Sequence, residues 1–129
     1  VFFIITFCIV QGYTQYNRYF YDYASSENIS ELNFDTPADI KFVEWESNSF
    51  LFEYFVSIAN IPRNTFNSLL KTDRYILQKS LNQETLNVFI DKSAFRTFVS
   101  SSGQVEENIT LTIYYPKEFR PDGQSLQRK

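Results

Sequence analysis

The stretch Phe50-Leu51-Phe52-Glu53-Tyr54-Phe55-Val56-Ser57-Ile58-Ala59 decides the fold class. Phe50, Phe52, Tyr54, Val56 and Ile58 recur every second residue, the period of a β-strand whose alternate side chains point to opposite faces. The intervening set, Leu51, Glu53, Phe55, Ser57 and Ala59, is also half apolar, so the second face is expected to be partly covered. A run of this length with no helical period predicts a central strand in a mainly β domain.

Working outward, the same period returns on both sides. Leu32 and Phe34 alternate before an Asp35-Thr36-Pro37 turn signal, and Ile40 and Phe42 alternate with Asp39 and Lys41. The phase slips at Val43, which puts Trp45 on the other parity and reads as a β-bulge. Glu46-Ser47-Asn48-Ser49 is a turn. After the central strand, Ile61-Pro62-Arg63-Asn64 is a stop, and Phe66, Leu69 and Leu70 at i, i+3 and i+4 predict one short amphipathic helix. That helix is expected to run about ten residues and to close near Lys71-Thr72-Asp73, with Asp73 as a left-handed cap. Tyr75, Leu77 and Lys79, then Leu86, Val88 and Ile90, predict an antiparallel hairpin turning over residues 80–84. Phe95, Thr97 and Val99 form a weaker strand. Ile109, Leu111, Ile113 and Tyr115 form a clean one that Pro116 ends. The reading is a mainly β, antiparallel, meandering sheet with one short amphipathic helix, and the β-rich domain spans residues 31–120.

The flanks are different in kind. VFFIITFCIV, residues 1–10, is apolar apart from Thr6. It is too short for a bilayer span, which takes about 20 residues, and has the length of a signal-peptide core. Residues 1–14 are therefore read as a truncated signal peptide, cut before Tyr13 or after Thr14. A buried N-terminal strand is the alternative. The only cysteine, Cys8, lies in this block, and Phe7 before it argues against lipidation. A mature chain without disulfides fits bacterial export to the periplasm, outer surface or medium. Residues 15–30 read as a polar, aromatic segment with no lasting period, in which Tyr19, Tyr21 and Tyr23 permit a short strand. Residues 121–129 read as a polar tail, truncated in turn.

The pieces in this order carry a family likeness. The residues are Ile40, Phe42 and Trp45, the helix around Leu69-Leu70, Arg74-Tyr75, Leu86 to Ile90, and Glu106-Glu107 through Tyr115-Pro116. Over roughly residues 30–120 the chain resembles the N-terminal part of secreted, adhesin-like Bacteroidetes proteins. Asp73 stands where that family usually has Gly. The resemblance implies a cap on a right-handed β-solenoid and a non-catalytic role at the cell envelope or surface, acting by binding or assembly on a surface glycan or protein.

Composition narrows the chemistry. Phe numbers 14 and Tyr 9 in 129 residues, while Gly numbers 3, which favours pleated structure over loops that cradle phosphate. There is no histidine, so histidine-based triads and histidine metal ligands are excluded. The 12 basic residues are dispersed and the net charge is −3, which leaves no footprint for nucleic acid. No Asp-rich loop suggests calcium, and no cofactor is expected. A carboxylate pair for glycoside hydrolysis is formally available in Glu44 and Glu46, about 7 Å apart if extended, but a solvated strand edge explains them. Glu106 and Glu107 point to opposite faces and read as edge guards. Arg74-Tyr75 is explained by a helix-to-strand junction. Asn28-Ile29-Ser30 and Asn108-Ile109-Thr110 match the glycosylation sequon.

The expectation is thus a non-enzyme. Its ligand-binding candidates are Tyr19, Tyr21, Tyr23 and Trp45, which suit stacking on a carbohydrate or peptide. The plainer roles are a loosely packed N-terminal segment for the tyrosines and a core anchor at a bulged corner for Trp45.

Overall fold

The computed structural model describes residues 15–36, 38–90, 99–100 and 103–129. The expected signal peptide, including Cys8, and the start of the weak strand at Phe95 and Thr97 lie outside the described residues.

The fold is mainly β with one short helix among the described residues. Its strands are β1 (Tyr16–Ser25), β2 (Glu31–Asp35), β3 (Asp39–Trp45), β4 (Ser49–Ala59), β5 (Gln78–Asn82), β6 (Thr85–Phe89), β7 (Val99–Ser100), β8 (Gly103–Gln104), β9 (Glu106–Pro116), β10 (Phe119–Asp122) and β11 (Ser125–Arg128). The helix α1 (Arg63–Leu70) lies between β4 and β5 and is followed by a 3-10 turn, Asp73–Tyr75. A four-stranded sheet has the order β1-β4-β9-β3, a five-stranded sheet the order β10-β11-β2-β6-β5, and β7 pairs with β8.

The two large sheets pack face to face as a sandwich. The central strand β4 sends Phe50, Phe52, Tyr54, Val56 and Ile58 inward, all fully buried. Leu111 and Ile113 of β9 join them from the same sheet. Leu32, Phe34, Leu86, Val88, Phe119 and Leu126 meet them from the other. Ring contacts tie the layers together: Phe34 lies 6.1 Å from Phe52 and 6.0 Å from Phe42, and Phe119 lies 4.9 Å from Phe50.

The sheets are mixed rather than a simple meander. β2 pairs with β6 in parallel, as β3 does with β9. Because the chain passes between layers after β1, β2, β4, β6 and β9, strands adjacent in sequence often fall in different sheets. Parallel partners need long crossovers, and side-chain alternation carries no information about which strand will be the neighbour.

Local readings change for similar reasons. The segment around Tyr19 is a full ten-residue strand, paired with β4 from Tyr16 opposite Ile58 to Ser25 opposite Ser49. Its inward parity carries Tyr16, Phe20 and Ala24 but also Arg18 and Asp22, while its outward parity carries three tyrosines, so neither face is uniformly apolar. No bulge occurs at Val43: β3 pairs with β9 residue for residue from Asp39 opposite Thr110 to Trp45 opposite Pro116. The phase slip arises because Val43 and Trp45 face outward beside Tyr114, an aromatic neighbour that gives apolar side chains cover there. The polar tail is the β10–β11 hairpin, and Leu126 is fully buried opposite Leu32. Its two-residue turn has positive φ at Gly123 (64°) only of its two loop residues, as a type II′ turn requires. Gln83 occupies the equivalent place in the β5–β6 turn at φ 57°.

The helix is two residues shorter than expected, ending at Leu70. Asp73 opens the 3-10 turn, so the chain keeps its right-handed sense instead of adopting a left-handed cap. Phe66 is the helix's buried residue, stacked 5.1 Å from Tyr16. At the same end of the sandwich Arg74 donates to both carboxylate oxygens of Glu107, at 3.0 Å from Nε and 2.6 Å from Nη2, and the Tyr75 hydroxyl donates to the same carboxylate. Glu106 is exposed and Glu107 largely buried, so the two do point apart. Glu107 is a buried ion-pair partner, however, not an edge guard.

Candidate functional site

The outer face of the four-stranded sheet is built by the second parity of its strands. Register places Tyr21 opposite Glu53 and Glu53 opposite Thr112; Tyr23 lies opposite Leu51, and Leu51 opposite Tyr114; Tyr19 lies opposite Phe55, and Phe55 opposite Thr110. Lys41, Val43 and Trp45 complete the rows from β3. Tyr19, Tyr21 and Tyr23 are 53%, 57% and 61% exposed, a column of three open phenol rings along one strand. Tyr19 and Tyr21 lie 6.3 Å apart with nearly parallel rings, and Tyr19 rests 4.6 Å from Phe55. Desolvation, then the charge of Glu53 opposite, raises the Tyr21 hydroxyl above its ordinary range, so it is a neutral donor at physiological pH.

Trp45 sits at the far edge of the same face. Its ring lies 5.7 Å from Tyr114 and its Nε1 donates to the Ser49 carbonyl at 2.8 Å. The bond pins the indole within the β3–β4 turn and leaves a ring face to be shared between Tyr114 and solvent. It is half-buried and outside the core, so the corner-anchor reading is corrected. The core lies on the opposite parity, with Phe42.

Trp45 also lines a cleft of about 1190 Å³ at one end of the sandwich. The cleft is walled by three turns and the strand ends beside them: residues 25–30 after β1, Glu46, Ser47 and Asn48 after β3, and Lys117 and Glu118 after β9, with Glu84 and Arg128. Arg128 holds this end together, its guanidinium donating to the carbonyls of Ile29 and Ser26 at 2.8 and 2.7 Å while lying over the Phe119 ring. Ser26 donates to the Asn48 carbonyl across the cleft floor. Sequence reasoning missed these residues as a group. They come from separate turns, and the only signal was that the turns after β1 and β3 are rich in Ser, Asn and Glu.

The four predicted residues therefore share one face, with the tyrosines on one edge strand, β1, and Trp45 on the other, β3. Trp45 alone belongs to both the face and the cleft. Glu44 and Glu46 are not brought together as a pair: both are exposed, but only Glu46 lines the cleft. Arg74 and Tyr75 are consumed by Glu107, as a junction requires. Asn28 and Asn108 are both exposed, the first in the cleft wall.

What this arrangement can do is bind. Half-exposed phenol and indole rings offer apolar faces with polar tips, and Glu53, Lys41, Thr110 and Thr112 set hydrogen-bonding groups beside them. Among the described residues, no group of three or more metal-ligating side chains occurs and no helix is long and apolar enough to cross a membrane. Compared with known families, curated proteins and solved structures, the chain matches none of them.

Proposed function

We propose that this is an exported, non-catalytic protein of the cell envelope or surface, of adhesin type, that acts by binding glycan through the outer face of its four-stranded sheet. The observation that carries the reading is the column of Tyr19, Tyr21 and Tyr23, each more than half exposed on a face that also holds Trp45. Large aromatic side chains are costly to leave in water, and three at i, i+2 and i+4 on one strand form a strip rather than a scatter. Sugar rings present C–H faces that stack on such rings and hydroxyls that reach the flanking Glu53, Thr112 and Lys41. The polar cleft beside Trp45 extends the same chemistry around the end of the domain. Export rests on the apolar block at residues 1–10, and the adhesin type on the likeness stated above.

A glycan array with the purified chain tests the reading. Tyr21→Ala and Trp45→Ala are each expected to reduce retained glycan signal about tenfold, because stacking contacts are worth roughly 1–3 kcal/mol on comparable platforms, while the melting temperature stays within a few degrees. Loss of folding in both variants would mark the rings as structural. Binding to protein ligands but to no glycan would replace the glycan with a peptide partner.

A further inference from the structure

β1 is an edge strand whose free side is closed at one end and open in the middle. Ser26, one step past the strand, donates its N–H to the Asn48 carbonyl at 3.3 Å. Alternation then gives the even-numbered residues of β1 to β4 and turns the N–H and C=O of Tyr19, Tyr21 and Tyr23 away from it. Tyr23 agrees: its N–H donates to the Asp22 carboxylate at 2.8 Å, and its carbonyl accepts from Lys79 Nζ at 3.1 Å. Those two side chains close that end of the edge. Among the described residues, no main-chain partner meets the same groups of Tyr19 and Tyr21. An open run of this kind is a template for another strand. The opposite edge of the sheet differs, because β3 sets exposed Asp39, Lys41 and Glu44 along its length. The exposed large apolar side chains gather on the β1 side as well. Tyr19, Tyr21 and Tyr23 lie on β1, and Ile76 and Leu81 lie before and within β5, which Lys79 ties to β1.

The strand's own sequence says what fits beside it. Arg18-Tyr19-Phe20-Tyr21-Asp22 is self-complementary when laid antiparallel on its own reverse. Arg18 falls opposite Asp22 of a second copy, Tyr19 opposite Tyr21, and Phe20 opposite Phe20. The main chain agrees, since Tyr19 and Tyr21 are the residues with free edge groups and they meet each other in that register. Charges on the core-facing parity guard an edge, and Arg18 and Asp22 do so against any register that sets like charges together. In this one register they attract, and two-fold symmetry makes the attraction twice. Arg18 is exposed and makes no ion pair among the described residues. Beside Asp22 a hollow of about 190 Å³, lined also by Phe20, Tyr75 and Ile76, gives an incoming arginine side chain room on the inner side. We infer that two copies of this chain pair through β1, antiparallel about Phe20, joining two four-stranded sheets into one of eight strands. The tyrosines of both copies then stand side by side on one outer face. The inference does not rest on the glycan reading, which needs that face but not its doubling.

Sedimentation equilibrium of the full chain tests the pairing. A single strand pair makes a small interface, so monomer is expected to give way to dimer between about 10 μM and about 1 mM. Arg18→Asp and Asp22→Arg each set like charges opposite one another and are each expected to weaken association at least about tenfold. An equimolar mixture of the two variants restores opposite charges at both positions and should associate within about threefold of the parent. The inference is overturned if the parent stays monomeric throughout, or if either variant alone associates as the parent does. It is equally overturned if the mixture associates no better than its components. Should a charge variant fail to fold, Tyr19→Pro decides. It removes an edge N–H that β4 does not use, which an edge strand tolerates. A dimer lost with the melting temperature held within a few degrees supports the pairing, and a dimer kept overturns it.

Discussion

Glu107 accepts three hydrogen bonds, two from the Arg74 guanidinium and one from the Tyr75 hydroxyl, in a place where Arg74 is 7% exposed. Burial alone would make the guanidinium easier to deprotonate, but the hydrogen bonds and charge of Glu107 outweigh it and hold Arg74 more firmly protonated. A bidentate pair of this kind is strong because the planar fork fits a carboxylate. Its net worth is smaller than its strength, since both charges have left water. Removing one partner is another matter. Glu107→Ala takes away the carboxylate that both guanidinium bonds hold against a buried cation and is expected to cost about 3–5 kcal/mol, read as a lowered urea midpoint. A loss under 1 kcal/mol would mean that water reaches Arg74 and that the pair does not close this end of the sandwich.

At the scale of elements, the β10–β11 hairpin carries the clearest consequence. Its sequence, Phe119 to Arg128, contains only two large apolar residues, yet both Phe119 and Leu126 are buried in the core. β11 lies between β10 and β2, so the hairpin supplies two of the five strands of its sheet. Leu126→Ala is expected to destabilise by about 2–5 kcal/mol, the usual cost of opening a cavity at a fully buried leucine. Thermal unfolding followed by circular dichroism would show it, and an unchanged midpoint would mean that the hairpin adds nothing to the core. The β1 strand makes the complementary point. It pairs over its whole length with β4, and Lys79 ties its Asp22 to β5 while also donating to the Tyr23 carbonyl at 3.1 Å. A lysine placed against an edge strand in this way also blunts that end of the edge against pairing with other chains.

For the molecule as a whole, pH links the core to the cluster at its end. The Tyr75 hydroxyl is pushed far above its ordinary range, first by burial and then by its bond to Glu107; Tyr54 is raised by burial and by the Glu107 charge. In the unfolded chain both would ionise near pH 10. Groups whose folded values are raised contribute stability that is complete below the unfolded value and is lost as pH climbs through the folded one. The melting temperature is therefore expected to hold on approaching pH 10 and to fall above it. Tyr54→Phe, with no proton to lose, should flatten that fall. An alkaline limb identical in the variant and the parent would remove Tyr54 from the linkage.

What was legible in the sequence follows from what periodicity encodes. Phe50 to Ala59 announced a strand with two partly covered faces, Phe66, Leu69 and Leu70 a short helix, and Leu86 to Ile90 half of a hairpin, because in each case one side chain after another repeats the geometry of its own element. The same information placed Tyr19, Tyr21 and Tyr23 on one face. The sequence alone thus determined the mainly β class, the short helix after the central strand and the aromatic candidates. Only the tertiary structure decided that β1 is a full strand, that Val43 marks no bulge, that the sheets are mixed, and that the tail is a core hairpin. It alone decided, too, that Glu107 pairs with Arg74, that Trp45 joins the tyrosine face to a cleft, and that the Tyr54 hydroxyl lacks a partner among the described residues. Each of these depends on which strand lies beside which, and strand pairing is made by backbone hydrogen bonds between residues tens of positions apart, which no local pattern of side chains records.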